Sequence, residues 1–175
     1  MFVNLTDVLT NEGKTIEMQT ESELAEVTIG DEIFPIKNRT PVNLVLTNIG
    51  KGKARITGHA KMTFAMNCDR CLKPVDKTLE VAFDREVFAP DMIDNVPDVR
   101  DDQEFMDGFR LDVDDLLNIE IVINWPMKIL CKPDCLGICR QCGTDLNTGT
   151  CECDTFVPDP RMAVIKDIFN GNKEV

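Results

Sequence analysis

From Ala54 onward the chain alternates: Ala54, Ile56, Gly58, Ala60, Met62, Phe64 and Met66 fall on one phase, and Arg55, Thr57, His59, Lys61 and Thr63 on the other. A period of two marks a half-buried strand. Val42, Leu44 and Leu46 alternate just upstream, with Asn-Ile-Gly-Lys-Gly at 48–52 as the turn. Downstream, Leu79, Val81, Phe83 and Val87 face one way while Thr78, Glu80, Asp84 and Glu86 face the other. Three alternating runs joined by short turns predict an antiparallel meander with one solvated face. A hairpin register that sets Phe64 opposite Val81 sets Met62 opposite Phe83, Lys61 opposite Asp84 and His59 opposite Glu86. Arg85 falls on the apolar phase, which predicts a bulge or a strand end near it.

Between Ala89 and Gly108 the pattern dissolves into an Asp- and Pro-rich stretch that reads as an exposed acidic linker or loop. Asp112 then suits the N-cap of a helix whose first turn holds Asp114 and Asp115, followed by Val113, Leu116, Leu117, Glu120 and Ile121, with Trp125-Pro126 closing it. A short helix is expected over 159–170, with Met162, Ile165, Ile168 and Phe169 on one face. The first 40 residues carry only weak strand signals at Val3, Leu5, Val27 and Ile29. The fold class is therefore α+β: an antiparallel meander or partial barrel with one or two helices and a cysteine-rich C-terminal lobe. The expected organisation is antiparallel β over 1–88, the linker over 89–110, and helix plus cysteine-rich lobe over 111–175, packed with 1–88 as one domain.

The length, 175 residues with 43% hydrophobic content, supports a sizeable core. A formal net charge of -12 argues against coating nucleic acid or an anionic membrane with the whole surface. The charge is uneven. Residues 51–77 hold 7 basic and 2 acidic side chains, whereas 78–130 hold 4 and 14. Lys51, Lys53, Arg55 and Lys61, joined past the turn by Arg70 and Lys73, are the candidate RNA contacts. The competing expectation is that these cations pair with carboxylates of the next strand.

No basic segment followed by an apolar stretch opens the sequence and no apolar run is long enough to span a bilayer, so a cytoplasmic protein without membrane contact is expected. In a reducing compartment, closely spaced cysteines are metal ligands or redox groups more often than disulfides. The eight cysteines are Cys68 and Cys71 in NCDRCLKP, then Cys131, Cys135, Cys139, Cys142, Cys151 and Cys153. Paired cysteines two residues apart suit one tetrahedral ion, and eight ligands divide into two sites. Cys139, Cys142, Cys151 and Cys153 form a local set, which leaves Cys68 and Cys71 to Cys131 and Cys135. All-thiolate sites favour zinc, expected here as two ions, and with four sulfurs each they leave no position for activated water. Eight thiolates with two divalent ions bring the net charge to about -16.

Three other uses of the cysteines fit less well. Cys151 and Cys153 are too close for a comfortable disulfide. A thioredoxin-like CxxC belongs at a strand-to-helix junction, whereas Cys68 and Cys71 follow a strand in a hairpin turn. The CxxxCxxC spacing at Cys135, Cys139 and Cys142 matches the cluster motif of radical SAM enzymes, but only about 30 residues follow it, too few for their barrel. His59 is the only histidine, so no Ser-His-Asp triad is available, and no phosphate loop, GxGxxG or HExxH motif is present. Tyrosine is absent, and Phe64 and Phe83 fall on the buried phase, so base stacking gains no support.

CDRCLKP after an alternating strand, an acidic linker, DVDDLLNIEI, WPMKILCKPDCLGICRQCGTDLNTGTCEC and DPRMAVIKDI, in that order, resemble the bacterial YceD family over residues 40–170. The resemblance implies a role in accumulation of large-subunit (23S) ribosomal RNA and names no reaction. Members often sit beside the gene for a small zinc-bearing large-subunit ribosomal protein. By that likeness Cys68 and Cys71 are the widely shared element, and Cys139, Cys142, Cys151 and Cys153 resemble members with the full cysteine complement. The expectation is a non-enzymatic zinc factor for large-subunit assembly, contacting rRNA through the basic patch or holding a basic ribosomal protein. The alternative is a thiol-based redox or RNA-modifying enzyme using the CxxC pairs.

Overall fold

A computed structural model of the chain describes residues 1–93 and 103–153. In chain order the elements are β1 (Phe2–Asn4), α1 (Thr6–Thr10), β2 (Thr15–Thr20), β3 (Glu26–Ile29), β4 (Glu32–Arg39), β5 (Val42–Gly50), β6 (Lys53–Asn67), β7 (Pro74–Phe88), α2 (Pro90–Ile93), β8 (Met106–Asp107), β9 (Arg110–Asp112) and α3 (Val113–Ile123). The chain divides into two compact units: residues 1–67 with 74–129, and residues 68–73 with 130–175. The helix expected over 159–170 lies outside the described residues.

The first unit is mainly antiparallel sheet. β6 is its spine, with Ala54, Ile56, Ala60, Met62, Phe64 and Met66 buried, as the alternation requires. β7 pairs with β6 along its whole length, while β5 and then β4 pair successively along the opposite edge of β6. β2 extends the sheet beyond β5, and β3 pairs with β4. Among the described residues the sheet is open and does not close into a barrel. A second, three-stranded sheet of β1, β9 and β8 leads into α3.

Asp112 caps α3, its carboxylate accepting from the amides of Asp114 and Asp115. The helix buries Val113, Leu116, Leu117, Glu120 and Ile121 and ends before Trp125, whose ring packs 4.7 Å from Phe34 and 5.2 Å from Phe64 between centroids. The weak N-terminal signals become four short strands and a one-turn helix. Asn48, buried in β5, ties them down: its amide donates to the Val8 carbonyl at 2.8 Å and its oxygen accepts from Gly50 at 3.0 Å.

Three expectations need correction. The β6–β7 register is displaced by four residues along β7: Lys61 faces Glu80, Met62 faces Leu79, His59 faces Ala82 and Phe64 faces Lys77. A slip by an even number keeps every side chain on its own face, so alternation alone cannot fix it. No bulge occurs at Arg85. The strand runs through it in register opposite Ile56, and its guanidinium instead meets the buried carboxylate of Glu120 on α3. The described flanks of the acidic stretch are also ordered: Ala89, Gln103 and Phe105 are buried, and the Gln103 side chain pairs with both backbone groups of Phe88.

Candidate metal centres

All eight cysteines fall in the second unit, in two groups: Cys68, Cys71, Cys131 and Cys135, and Cys139, Cys142, Cys151 and Cys153. Within each group the four sulfurs lie within 4.8 Å of one another. Cys68, Cys71, Cys135 and Cys139 are buried, Cys151 and Cys153 half-buried, and Cys131 and Cys142 exposed. None is in a disulfide.

The two CxxC turns share one backbone design. The Cys68 amide donates to the Lys73 carbonyl and the Leu72 amide to the Cys68 carbonyl, both at 2.8 Å. In the second turn the Cys139 amide donates to the Thr144 carbonyl at 2.8 Å and the Gly143 amide to the Cys139 carbonyl at 2.9 Å. In each, the residue after the second cysteine takes a left-handed conformation, φ 75° at Gly143 and 59° at Leu72. Glycine does this without cost, and leucine does not. The chain reversal aims both sulfurs of a pair to one side, which a shared ion requires.

The remaining ligands come from less regular backbone. Cys131 and Cys135 bracket a Lys-Pro-Asp turn in which the Cys135 amide donates to the Lys132 carbonyl at 3.1 Å. The loop between Cys142 and Cys151 serves both centres. Its Asn147 side-chain amide donates to the Cys135 sulfur at 3.5 Å and to Asp145 at 2.8 Å, while Asp145 binds Lys73 at 2.5 Å. Lys73 and the Asn147 backbone and side-chain amides hold the Asp145 carboxyl down to about 2. Spacing alone did not reveal Asn147 or Asp145 as supports; the signal available was a short Asp-Leu-Asn turn inside the cysteine loop.

The first group fits one tetrahedral ion. Cys68 and Cys135 are 3.8 Å apart between sulfurs and Cys71 and Cys131 3.6 Å, while a four-sulfur shell at a zinc–sulfur distance of about 2.3 Å has edges of about 3.8 Å. A disulfide would need about 2.05 Å.

Their protonation points the same way. Burial pushes the Cys68 thiol up, but the backbone amides of Cys71, Cys131 and Arg70 outweigh it and bring it down to about 6. Desolvation, then the neighbouring Cys135, Cys71 and Cys68, push Cys131 up to about 12. In the second group the Thr144 hydroxyl and amide bring Cys142 down to about 6. Cys142 itself, then desolvation and Cys139, push Cys153 up to about 12. Each group thus gives up its first proton easily and holds the last, because four anionic sulfurs cannot share so small a space unaided. A soft divalent cation at the centre removes the conflict.

The candidate RNA contacts divide between the units. In the first, Arg55 binds Glu86 at 2.9 Å and Asp84 at 3.5 Å, Lys61 binds Glu80 at 2.5 Å, Lys53 lies 5.0 Å from the centroid of the Phe88 ring, and Lys51 is exposed in the turn before β6. In the second, Arg70 donates to the Cys135 carbonyl at 2.6 Å and Lys73 binds Asp145. Among the described residues His59 meets Asn43 at 3.2 Å, and its partner across the strand is Ala82 rather than Glu86. The sheet cations therefore pair across strands, in a register different from the one the alternation suggested.

Among the described residues no helix is long and apolar enough to cross a membrane. No solved structure matches the chain. It is 30% identical over 121 residues to proteins of Mycobacterium tuberculosis and Mycobacterium bovis named only as uncharacterized, covering 67% of this chain and 58% of theirs. It is 27% identical over 146 residues to a Zea mays protein named large ribosomal RNA subunit accumulation protein YCED homolog 1, chloroplastic, covering 66% of this chain and 49% of that one. The chain thus spans 49–58% of the length of these curated relatives. The family model described as large ribosomal RNA subunit accumulation protein YceD matches residues 56–169, a segment that contains both four-cysteine groups. The chain belongs to the YceD family.

Proposed function

We propose that this protein is a non-enzymatic zinc factor of a reducing, cytoplasmic compartment that supports accumulation of large-subunit (23S) rRNA by holding a basic ribosomal protein during assembly. The observation that carries the zinc reading is the pair of four-sulfur groups, with the edges of the first matching a zinc–thiolate tetrahedron. Cys68, Cys71, Cys131 and Cys135 hold one ion, and Cys139, Cys142, Cys151 and Cys153 the other. Such centres are coordinatively full, so they fold the second unit rather than activate water or turn over thiols.

Charge favours a protein partner over RNA. The chain carries -12 before metal loading, and Arg55, Lys61 and Lys73 are engaged by carboxylates. Releasing them to phosphates means breaking those pairs. An acidic surface instead attracts the Lys- and Arg-rich segments of ribosomal proteins. Holding such a protein until its site on the rRNA is ready supports rRNA accumulation without a reaction at the RNA.

Co-isolation of the tagged chain from growing cells, with its zinc measured in the same sample, tests this reading. A basic large-subunit protein co-isolating after nuclease treatment is expected. Recovery that depends on intact rRNA, and is lost on charge reversal of Lys51, Lys53, Arg55 and Lys61, would replace it with direct RNA binding. Turnover of a thiol or RNA substrate by the zinc-loaded protein would overturn the non-enzymatic assignment.

A further inference from the structure

We propose that the outer edge of β7, from Asp76 to Glu86, is a docking edge that takes an extended, lysine-rich strand of a basic partner by antiparallel or parallel strand addition. The proposal rests on the protein-holding reading above and gives it a place on the molecule.

Antiparallel pairing sends the backbone groups of alternate residues to opposite edges. At Phe88 the direction is fixed: its N–H donates to the Gln103 side-chain oxygen at 3.0 Å and its carbonyl accepts from the Gln103 amide nitrogen at 3.4 Å, so both point away from β6. The β6–β7 register runs unbroken from Asn67 and Pro74 to Lys53 and Phe88. The N–H and C=O groups of Asp76, Thr78, Glu80, Ala82, Asp84 and Glu86 therefore point the same way. Among the described residues no backbone group pairs with them. Gln103 already does at Phe88, with one side-chain amide, what an added strand would do along the edge.

The same residues place their side chains on the solvated face, where all six are exposed. α3 meets β7 from the other face, through Arg85 and Glu120. The open edge thus carries Asp76, Glu80, Asp84 and Glu86 without a basic residue among its outward positions. Lys37, Lys61 and Arg55 already pair with these four carboxylates, so an added strand would share carboxylates that outnumber their own cations four to three. A second copy of this edge would set carboxylates against carboxylates, which cross-strand pairing disfavours, whereas Lys or Arg at every second position would interleave with them. RNA phosphates would find no free cation on this row, because its Lys37, Lys61 and Arg55 are held by the carboxylates.

The zinc-loaded full chain, titrated with a nine-residue peptide alternating lysine and threonine, tests the proposal by amide hydrogen exchange and affinity. Slowed exchange at the even-numbered residues 78–86 is expected, with binding that weakens as salt is raised. A lysine–proline peptide of equal charge, which cannot pair along an edge, should bind at least about tenfold more weakly. Ala82→Pro removes an outward N–H and leaves the β6 pairing intact, so it should fold and weaken binding by about tenfold. Equal binding of both peptides, unchanged exchange in β7, self-association through this edge, or wild-type affinity in Ala82→Pro would each overturn the proposal. The parent reading fails separately: a basic large-subunit protein that still co-isolates with Ala82→Pro at the wild-type level removes the edge and keeps the holding role, and none with the wild type removes the role itself.

Discussion

Arg85 Nε lies 2.6 Å from Glu120 Oε1, joining a basic residue on the buried phase of β7 to the one buried carboxylate of α3. The Glu120 side chain is 5% exposed and that of Arg85 37%, so the pair sits at the margin of the core. Removing the cation strands a buried anion, whereas removing both leaves a site that apolar groups can fill. Arg85→Leu is expected to destabilise the first unit by about 2–3 kcal/mol, and Arg85→Leu with Glu120→Leu to recover most of the loss. Urea unfolding followed by the fluorescence of Trp125, the single tryptophan, reports this unit directly.

The two cysteine turns offer an internal control. Leu72 and Gly143 occupy equivalent left-handed positions, and a leucine there costs roughly 1–2 kcal/mol. Gly143→Leu should destabilise the second unit, while Leu72→Gly should be neutral or stabilising. Gly137 is more constrained: at φ 82°, an added Cβ would lie 2.9 Å from the Arg70 carbonyl oxygen. Gly137→Ala should therefore weaken metal retention at the Cys68 site more than at the Cys139 site. Competition with a chromophoric chelator measures all three variants.

The sequence made some of this legible and hid the rest for physical reasons. The faces of β5, β6 and β7 followed from alternation, and the Asp112 cap from its place before an apolar helical stretch. The β6–β7 register did not, because Pro74 reads as loop. Proline is tolerated as the first residue of a strand, and the Cys68–Lys73 reversal is itself the hairpin turn, centred between Arg70 and Cys71. β8 and β9, two and three residues long, are too short to show a period. Arg85 looked like a defect because its partner lies 35 residues away on α3. Spacing suggested one division of the cysteines without fixing it, and the structure gathers the sulfurs into the same two sets. Their support by Asn147 was not, because a single amide in a loop carries no pattern.

Metal binding should be strongly pH-dependent. At pH 7.5 the metal-free groups hold protons on Cys71 and Cys131, and on Cys151 and Cys153, all raised above the usual thiol value. At least two protons should therefore leave per ion bound, measurable by calorimetry in buffers of different ionisation enthalpy. Below about pH 6, Cys68 and Cys142 protonate as well, and affinity should fall more steeply with acid. Folding of the metal-free unit is linked to the same protons. The lowered thiols stabilise it above pH 9, an effect lost as pH falls through 6, and the raised ones stabilise it below pH 9, an effect lost as pH climbs toward 12.

X-ray absorption at the zinc edge, with total metal measured on the same purified sample, tests the two-centre assignment most directly. The expected result is two zinc ions per chain, each with four sulfur neighbours at about 2.3 Å and no nitrogen or oxygen in the shell. One ion per chain, oxygen or nitrogen ligands, iron in place of zinc, or cysteines recovered as disulfides would contradict it.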